Sequence, residues 1–358
     1  MGRLLATSET SERSGEPEAQ DWRSKVDEQD AAGLSGHDLS RAREPGRGRE
    51  ASEPTEIPAR GWRDIAWRTV MSIPEDRVLA TGGSVAFFTL LAFFPAIAVI
   101  VSLYGIFTDV RTIGDHLALL AGILPEGAMA LIRDQIAAIV SKETKTLSLA
   151  FAIGLGTALW SANSGMGALF DALNVVYGER EKRSLVRFYL TTFLFTIGAV
   201  LFVLLAVSAV VVLPIMLKLV GVSLSAETIL SVVRWPLLLL IVMLGLAAVY
   251  RYGPSRSNAR WAWVSLGSAA AAILWIGASM AFSWYVASFD SYNKVYGSLG
   301  AGIGFMVWIW ISVVIVLVGA ELNAEMEHQT ARDTTTGSER PLGARGATMA
   351  DHVGAAQA

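Results

Sequence analysis

Glu325 and His328 stand three residues apart in the run VGAELNAEMEH (318–328), with Glu321 one helical turn earlier. Glu-x-x-His is the spacing with which carboxylate-bridged dimetal bundles hold their ions, because side chains three apart share a helix face. That chemistry requires a second Glu-x-x-His and further acids on facing helices, and the apolar part of the chain has none. His37, His116 and His352 lie far from His328 and form no His-x-His-x-Asp-His pattern, so metal-assisted hydrolysis is not predicted. The absence of cysteine excludes thiolate nucleophiles, disulfides and Cys-ligated metal sites. No GxxxxGK stretch is present to cradle ATP phosphates. The chain therefore reads as a non-enzyme with no catalytic residues, cofactor or metal. Two readings of Glu321 and Glu325 remain: the water-facing end of a helix, or an i, i+4 pair that binds arginines from neighbouring loops.

The elements that would position these acids follow from composition. Hydrophobic residues make up 53% of the 358 and charged ones 17%, too apolar for an ordinary soluble domain, so a membrane protein is predicted. Charges crowd into residues 1–77, and the net charge of -3 gives no basic groove for nucleic acid. Six uncharged runs, 78–108, 146–170, 188–217, 235–250, 261–289 and 295–320, approach or exceed the roughly 20 residues that span a bilayer. The fourth is short, but flanking arginines can snorkel and Ile229 to Val233 can extend it. The expected fold is an all-α, polytopic integral membrane bundle of six transmembrane helices over 78–328.

Basic residues are denser before the first run and in the second and fourth loops than in the others, which puts both termini in the cytoplasm. No secretory signal precedes the first run, which is expected to serve as its own insertion signal. Residues 1–58 and 329–358 read as disordered cytoplasmic tails from their polar composition. Residues 59–77 read as an interfacial helix, with Trp62, Ile65, Ala66, Thr69 and Val70 forming its apolar stripe. In the first outer loop, Met129, Ile132, Ile136 and Ile139 recur at helical spacing after Pro125, predicting an amphipathic helical segment.

Five stretches carry a resemblance: TGGSVAFFTLLAFFP (81–95), LWSANSGMGALFDALNVVYGEREKRS (159–184), YRYGPSRSNARWAWVSLGS (250–268), FSWYVASFDSYNKVYGSLGAGIGFMVWIWIS (282–312) and GAELNAEMEH (319–328). Their order resembles that of the BrkB/YihY family of bacterial inner-membrane proteins, historically labelled ribonuclease BN. The resemblance implies a multi-pass protein of the bacterial plasma membrane. The scattered histidines make the nuclease label unsuited to this chain.

No Asp, Glu, Lys or Arg lies well inside a run, so an internal proton relay or voltage sensor is not expected. The polar residues there are neutral: Ser161, Asn163 and Ser164 in the second run, and Tyr285, Tyr292 and Asn293 around the end of the fifth. They form a candidate polar path, with interhelical hydrogen bonding as the competing role. Arg180, Lys182, Arg183, Arg251 and Arg256, with Glu321 and Glu325, form a candidate cytoplasmic rim. Its basic groups would meet an anionic headgroup or solute, or would only mark topology. Gly300 and Gly304 form a GxxxG packing motif, and the SANSGMG stretch (161–167) is a place where a helix can unwind. Transport or translocation of an anionic or amphipathic solute or lipid is the leading function, with a non-catalytic scaffold or envelope-integrity protein as the alternative. Membrane lipids are the expected partners, with an anionic lipid or solute as substrate, no nucleic acid, and a homo-oligomer left open.

Overall fold

The computed structural model describes residues 36–107, 129, 132–134, 136–137, 147–207, 224–288 and 298–357. Two short helices, α1 (Gly36–Ala42) and α9 (Thr348–Asp351), flank seven longer ones among these residues. Helix α2 (Ala59–Glu75) meets α3 (Val78–Phe107) at a 63° bend. Then follow α4 (Leu147–Val176), α5 (Leu185–Val207), α6 (Leu224–Tyr252), α7 (Trp261–Ser288) and α8 (Ser298–Glu327). Helices α3 to α8 fall on the six uncharged runs, because a run apolar on every face satisfies its backbone internally and can bury its side chains in any direction.

Three of these helices are long and apolar enough among the described residues to cross a membrane: Leu185–Phe202, Trp261–Val286 and Gly302–Glu327. A fourth is added if the bent pair Ala59–Glu75 and Val78–Phe93 counts as one span. The six spans expected from sequence are thus met only in part. Helix α6 does run back past Trp235 to Leu224, but its apolar part, Pro236–Tyr252, is shorter than a span among the described residues. Most of the amphipathic segment in the first outer loop lies outside the described residues; Met129, Ile132 and Ile136, which are described, are helical. Large apolar side chains point outward along the bundle, with Trp160 76%, Val186 79% and Trp284 71% exposed. A water-soluble protein rarely shows such a surface, whereas a lipid-facing one must.

Helix α8 is the hub, packed against α2, α3, α4 and α7. Its crossing with α7 is built on Gly267 and Gly319, where a methyl group on either would drive into the facing backbone or side chains. On Gly319 it would come within 2.7 Å of the Tyr250 hydroxyl and 2.8 Å of the Gly267 carbonyl oxygen. Asn323 bridges the same crossing, accepting from the Gly267 N–H at 2.9 Å. The predicted GxxxG does not mark this contact, since a methyl on Gly304 would meet nothing. Gly267→Val is expected to cost about 1–3 kcal/mol by overpacking, read as a lower thermal midpoint in detergent, while Gly304→Val leaves the midpoint unchanged.

The described parts of the two expected tails differ most from expectation; residues 1–35 lie outside the described residues. Residues 36–57 and 328–357 fold together over the end of the bundle formed by α2 and the C-terminus of α8. Arg49, 2% exposed, donates to the Gln329 carbonyl at 3.0 Å, the Gly354 carbonyl at 2.8 Å and the Glu44 carboxylate at 2.7 Å. Arg345 donates to the carbonyls of Ala331 and Ala350, each at 2.6 Å. Thr334 and Asn258 accept from Arg260 and Thr336 N–H groups at 2.8 and 2.9 Å, pinning the tail to the loop before α7. Ordering entropy is offset here by guanidinium groups that each satisfy several carbonyls, together with a small apolar cluster of Ala42, Ala331, Leu342 and Val353.

The same cover changes which face of α2 is buried. Asp64 is fully buried, held by Arg47 at 2.7 Å and the Gln357 N–H at 3.0 Å, and Gly61, Ile65 and Thr69 lie beside it. Burial pushes the Asp64 carboxyl up, but the Arg47 and Gln357 donors outweigh it and hold it below its ordinary value. Trp67, Val70 and Met71 face outward instead. The predicted stripe of Trp62, Ile65, Ala66, Thr69 and Val70 is therefore split between the two sides.

Candidate functional site

Helices α3 to α8 converge at mid-height on a cavity of about 500 Å³. Small residues open it: Gly165 and Ala162 on α4, Ala271 and Ala272 on α7. Trp275 and Trp308 close one wall, and Phe202 and Leu246 bring α5 and α6 to it. Its few polar groups are turned to the protein. The Thr89 hydroxyl donates to the Val85 carbonyl at 2.8 Å, Ser312 to the Trp308 carbonyl at 2.8 Å, and the Trp275 indole to Ser312 at 2.9 Å. What a ligand would meet is an apolar surface of the size that holds a small molecule or part of a chain.

The predicted polar path does not coincide with this cavity. Helix α4 runs unbroken through residues 161–167, so that stretch is not unwound. Ser164 donates to the Trp160 carbonyl at 2.9 Å, and Ser161 is buried. Asn163 has a buried side-chain oxygen without a hydrogen-bond donor. Tyr285 lies 44% exposed at the other end of the bundle, its ring beside Phe282. Tyr292 and Asn293 lie outside the described residues. Sequence reasoning passed over the cavity because its residues are ordinary apolar ones; the clustering of Ala and Gly opposite two tryptophans was the available signal.

The rim residues do gather at one end, but mostly in internal pairs. Arg183 binds Glu181 at 2.7 Å, donates to the Gly253 carbonyl at 2.8 Å and lies over the rings of Phe170 and Phe188. Burial pushes the Glu181 carboxyl up, yet the Arg183 side chain and N–H and the Asn174 amide prevail and lower it to about 2. The turn that presents this pair follows Gly178, whose φ of 61° places it in the left-handed region that ends a helix, and its N–H caps the Val175 carbonyl. Lys182 pairs with Glu179 at 2.7 Å with its own side chain 59% exposed, and Arg180 is exposed. Arg256 is wholly buried against Glu327 at 2.7 Å, with its guanidinium 4.2 Å from the Tyr177 ring centre. Arg251 lies over Trp261 at 4.6 Å and over Tyr252 at 5.3 Å, and its Nε and Nη1 have no hydrogen-bond partner.

Both sequence readings of the opening acids need correction. Glu321, Glu325 and Glu327 are 0%, 4% and 0% exposed, not in water or headgroups; Arg68 and Ser72 of α2 lie against Glu325, and Thr334 of the C-terminal tail lies against Glu327. Glu325 does pair with an arginine, but with Arg68 of α2 and not with Arg183 or Arg256. Among the described residues Glu321 has no cationic partner and neither of its carboxyl oxygens receives a hydrogen bond from a donor; the Asp76 carboxyl is beside it. His328 stands 3.4 Å from Glu325. Among the described residues no three His, Asp or Glu side chains converge as metal ligands would.

Comparison with known proteins places the chain among bacterial membrane proteins. A family model described as Virulence factor BrkB matches residues 69–342. The ribonuclease-like protein YfkH of Bacillus subtilis (strain 168) is 30% identical over 247 residues, covering 67% of this chain and 86% of that protein. A UPF0761 membrane protein of Aromatoleum aromaticum is 28% identical over 73% of this chain and 64% of its own length. Another, of Vibrio parahaemolyticus, is 27% identical over 72% of this chain and 80% of its own. No solved structure matches the chain.

Proposed function

The chain belongs to the BrkB family of membrane proteins, and from that premise we propose that it translocates or exchanges an amphipathic anionic solute, a lipid being the class that fits best. The observation that carries this reading is the apolar cavity at the meeting point of α3 to α8. A polar solute would gain nothing from walls whose hydroxyls are already bonded to carbonyls, whereas an acyl chain would gain roughly 25 cal/mol for each Å² it removes from water. Arg251 lies five residues beyond Leu246, about 7.5 Å further along α6. Its guanidinium lies over Trp261, and its Nε and Nη1 are buried with no hydrogen-bond partner among the described residues, so an anionic headgroup whose tail reaches the cavity would engage it only where those nitrogens open to it.

In this reading α3 to α8 are six spans of a bacterial inner-membrane protein, with the tails and the rim in the cytoplasm. The positive-inside distribution of Lys and Arg supports that orientation. Helix α2 then lies at the inner interface with Trp67, Val70 and Met71 toward lipid. A nuclease has no support in the arrangement of side chains, and nucleic acid is not the substrate proposed.

Filling the cavity tests the reading. Ala272→Phe, with Gly165→Leu as an independent second variant, is expected to slow transfer of a fluorescent anionic phospholipid between leaflets of proteoliposomes by about tenfold or more, the equivalent of about 1.4 kcal/mol. Elution volume and thermal midpoint should stay near those of the wild type. Transfer at the wild-type rate in both variants, or none in the wild type, would favour a scaffold in which these helices only pack.

A further inference from the structure

We propose that Asp76 and Glu321 hold one proton between them, forming a proton-binding site where the α2–α3 elbow meets α8. The proposal stands apart from the lipid reading. It rests on how three glutamates at the end of α8 are partnered. Glu325 is bound by Arg68 and faced by Ser72 and His328. Glu327 is bound by Arg256 and by the Thr334 hydroxyl at 2.9 Å. Glu321 is as buried as either, yet among the described residues it is faced by another acid and by no donor.

Nearby cations are committed elsewhere. Arg68 also donates to the Gln329 side chain at 2.8 Å and to the Ala355 carbonyl at 2.9 Å. Arg77 follows Asp76 in the chain but is exposed, with a φ of 52° that turns the backbone through the elbow. From α2, Glu75 adds negative charge, as Glu325 does from α8, and Tyr177 after α4 is a further titratable group in reach among the described residues. Two carboxylates cannot face each other in such a place without a counter-charge, and a shared proton supplies it at the least cost. One carboxyl then donates an O–H to the other's oxygen, and the pair carries a single negative charge. Asp76 is the half-buried member, so protons exchange with solvent through it.

Burial, reinforced by Glu75 and Glu325, raises the Asp76 carboxyl above its ordinary value in spite of Glu321. The sign of the pH effect follows. A carboxyl raised on folding favours its protonated form, so its contribution to stability is present at low pH and is lost as pH rises through the raised value. The loss places two negative charges at a joint already bent by 63°.

Infrared spectroscopy of the full chain in proteoliposomes tests this, by following the C=O stretch of protonated carboxyl groups between about pH 5 and pH 9. The wild type should keep such a band at neutral pH. Glu321→Gln and Asp76→Asn should each remove or shift it. Absence of the band at neutral pH, or its persistence unaltered in both variants, would overturn the proposal. So would its disappearance on adding sodium chloride at fixed pH, which would mean that a metal cation takes the proton's place. Should Glu321→Gln not fold, Asp76→Asn at the half-buried elbow position still gives the decisive readout.

Discussion

Replacing Arg256 with Met is expected to destabilise the fold by about 3–5 kcal/mol, the range seen when one member of a buried ion pair is removed. The side chains of Arg256 and Glu327 are both fully buried, joined by two hydrogen bonds of 2.8 and 2.7 Å. Burial alone would lower the Arg256 guanidinium, but the Glu327 carboxylate outweighs it and raises it above its ordinary value. Without Arg256, Glu327 keeps only the Thr334 hydroxyl in a site closed to water. The loss should appear as a lower midpoint in detergent unfolding. Adding Glu327→Gln to Arg256→Met should recover more than half of it, because the penalty lies in the orphaned charge. Failure of the second change to recover stability would show that the arginine acts through packing on Tyr177. The Lys182–Glu179 pair, with its lysine more than half exposed, is expected to contribute well under about 1 kcal/mol.

This contrast explains what the sequence could and could not disclose. Hydrophobic runs reported the long helices well, and Val78 and Trp261 open both the runs and the helices, because a helix that is apolar on all faces needs no partner to be recognised. Arg183 and Arg256 both lie at the rim as expected, yet their acids are Glu181 and Glu327 and not Glu321 or Glu325. Partner choice among several acids on one helix depends on rotation about its axis and on what covers it, and neither is written in residue spacing. The candidate site shows the same limit: Ser161, Asn163 and Ser164 attract notice by polarity, while Ala162 and Gly165 between and beside them line the cavity. A void is made by what is small, and small residues are common in membrane helices for packing reasons alone.

The second large effect is expected in the C-terminal segment, which polar composition made look unstructured. Arg345→Leu should cost that segment about 3 kcal/mol, since hydrogen bonds from a charged group contribute about 1.5–3 kcal/mol each and several are lost together. Its guanidinium serves the carbonyls of Ala331, Arg332, Arg340 and Ala350, and its N–H is held by Asp351 at 2.7 Å. Arg345→Lys should not rescue the loss, because an ammonium cannot fork among four carbonyls in fixed directions. The measurement is hydrogen exchange and limited proteolysis of residues 329–357, which should open in both variants while α3 to α8 stay protected. Opening would also release the Gly354 N–H from the His328 carbonyl and the Ala355 carbonyl from Arg68. Water would then reach Glu325, whose pairing with Arg68 keeps that arginine from Asp76 and Glu321. Order in the tail is therefore a condition for the isolation of the carboxyl pair, and the Arg345 variants should lose the protonated-carboxyl band along with tail protection.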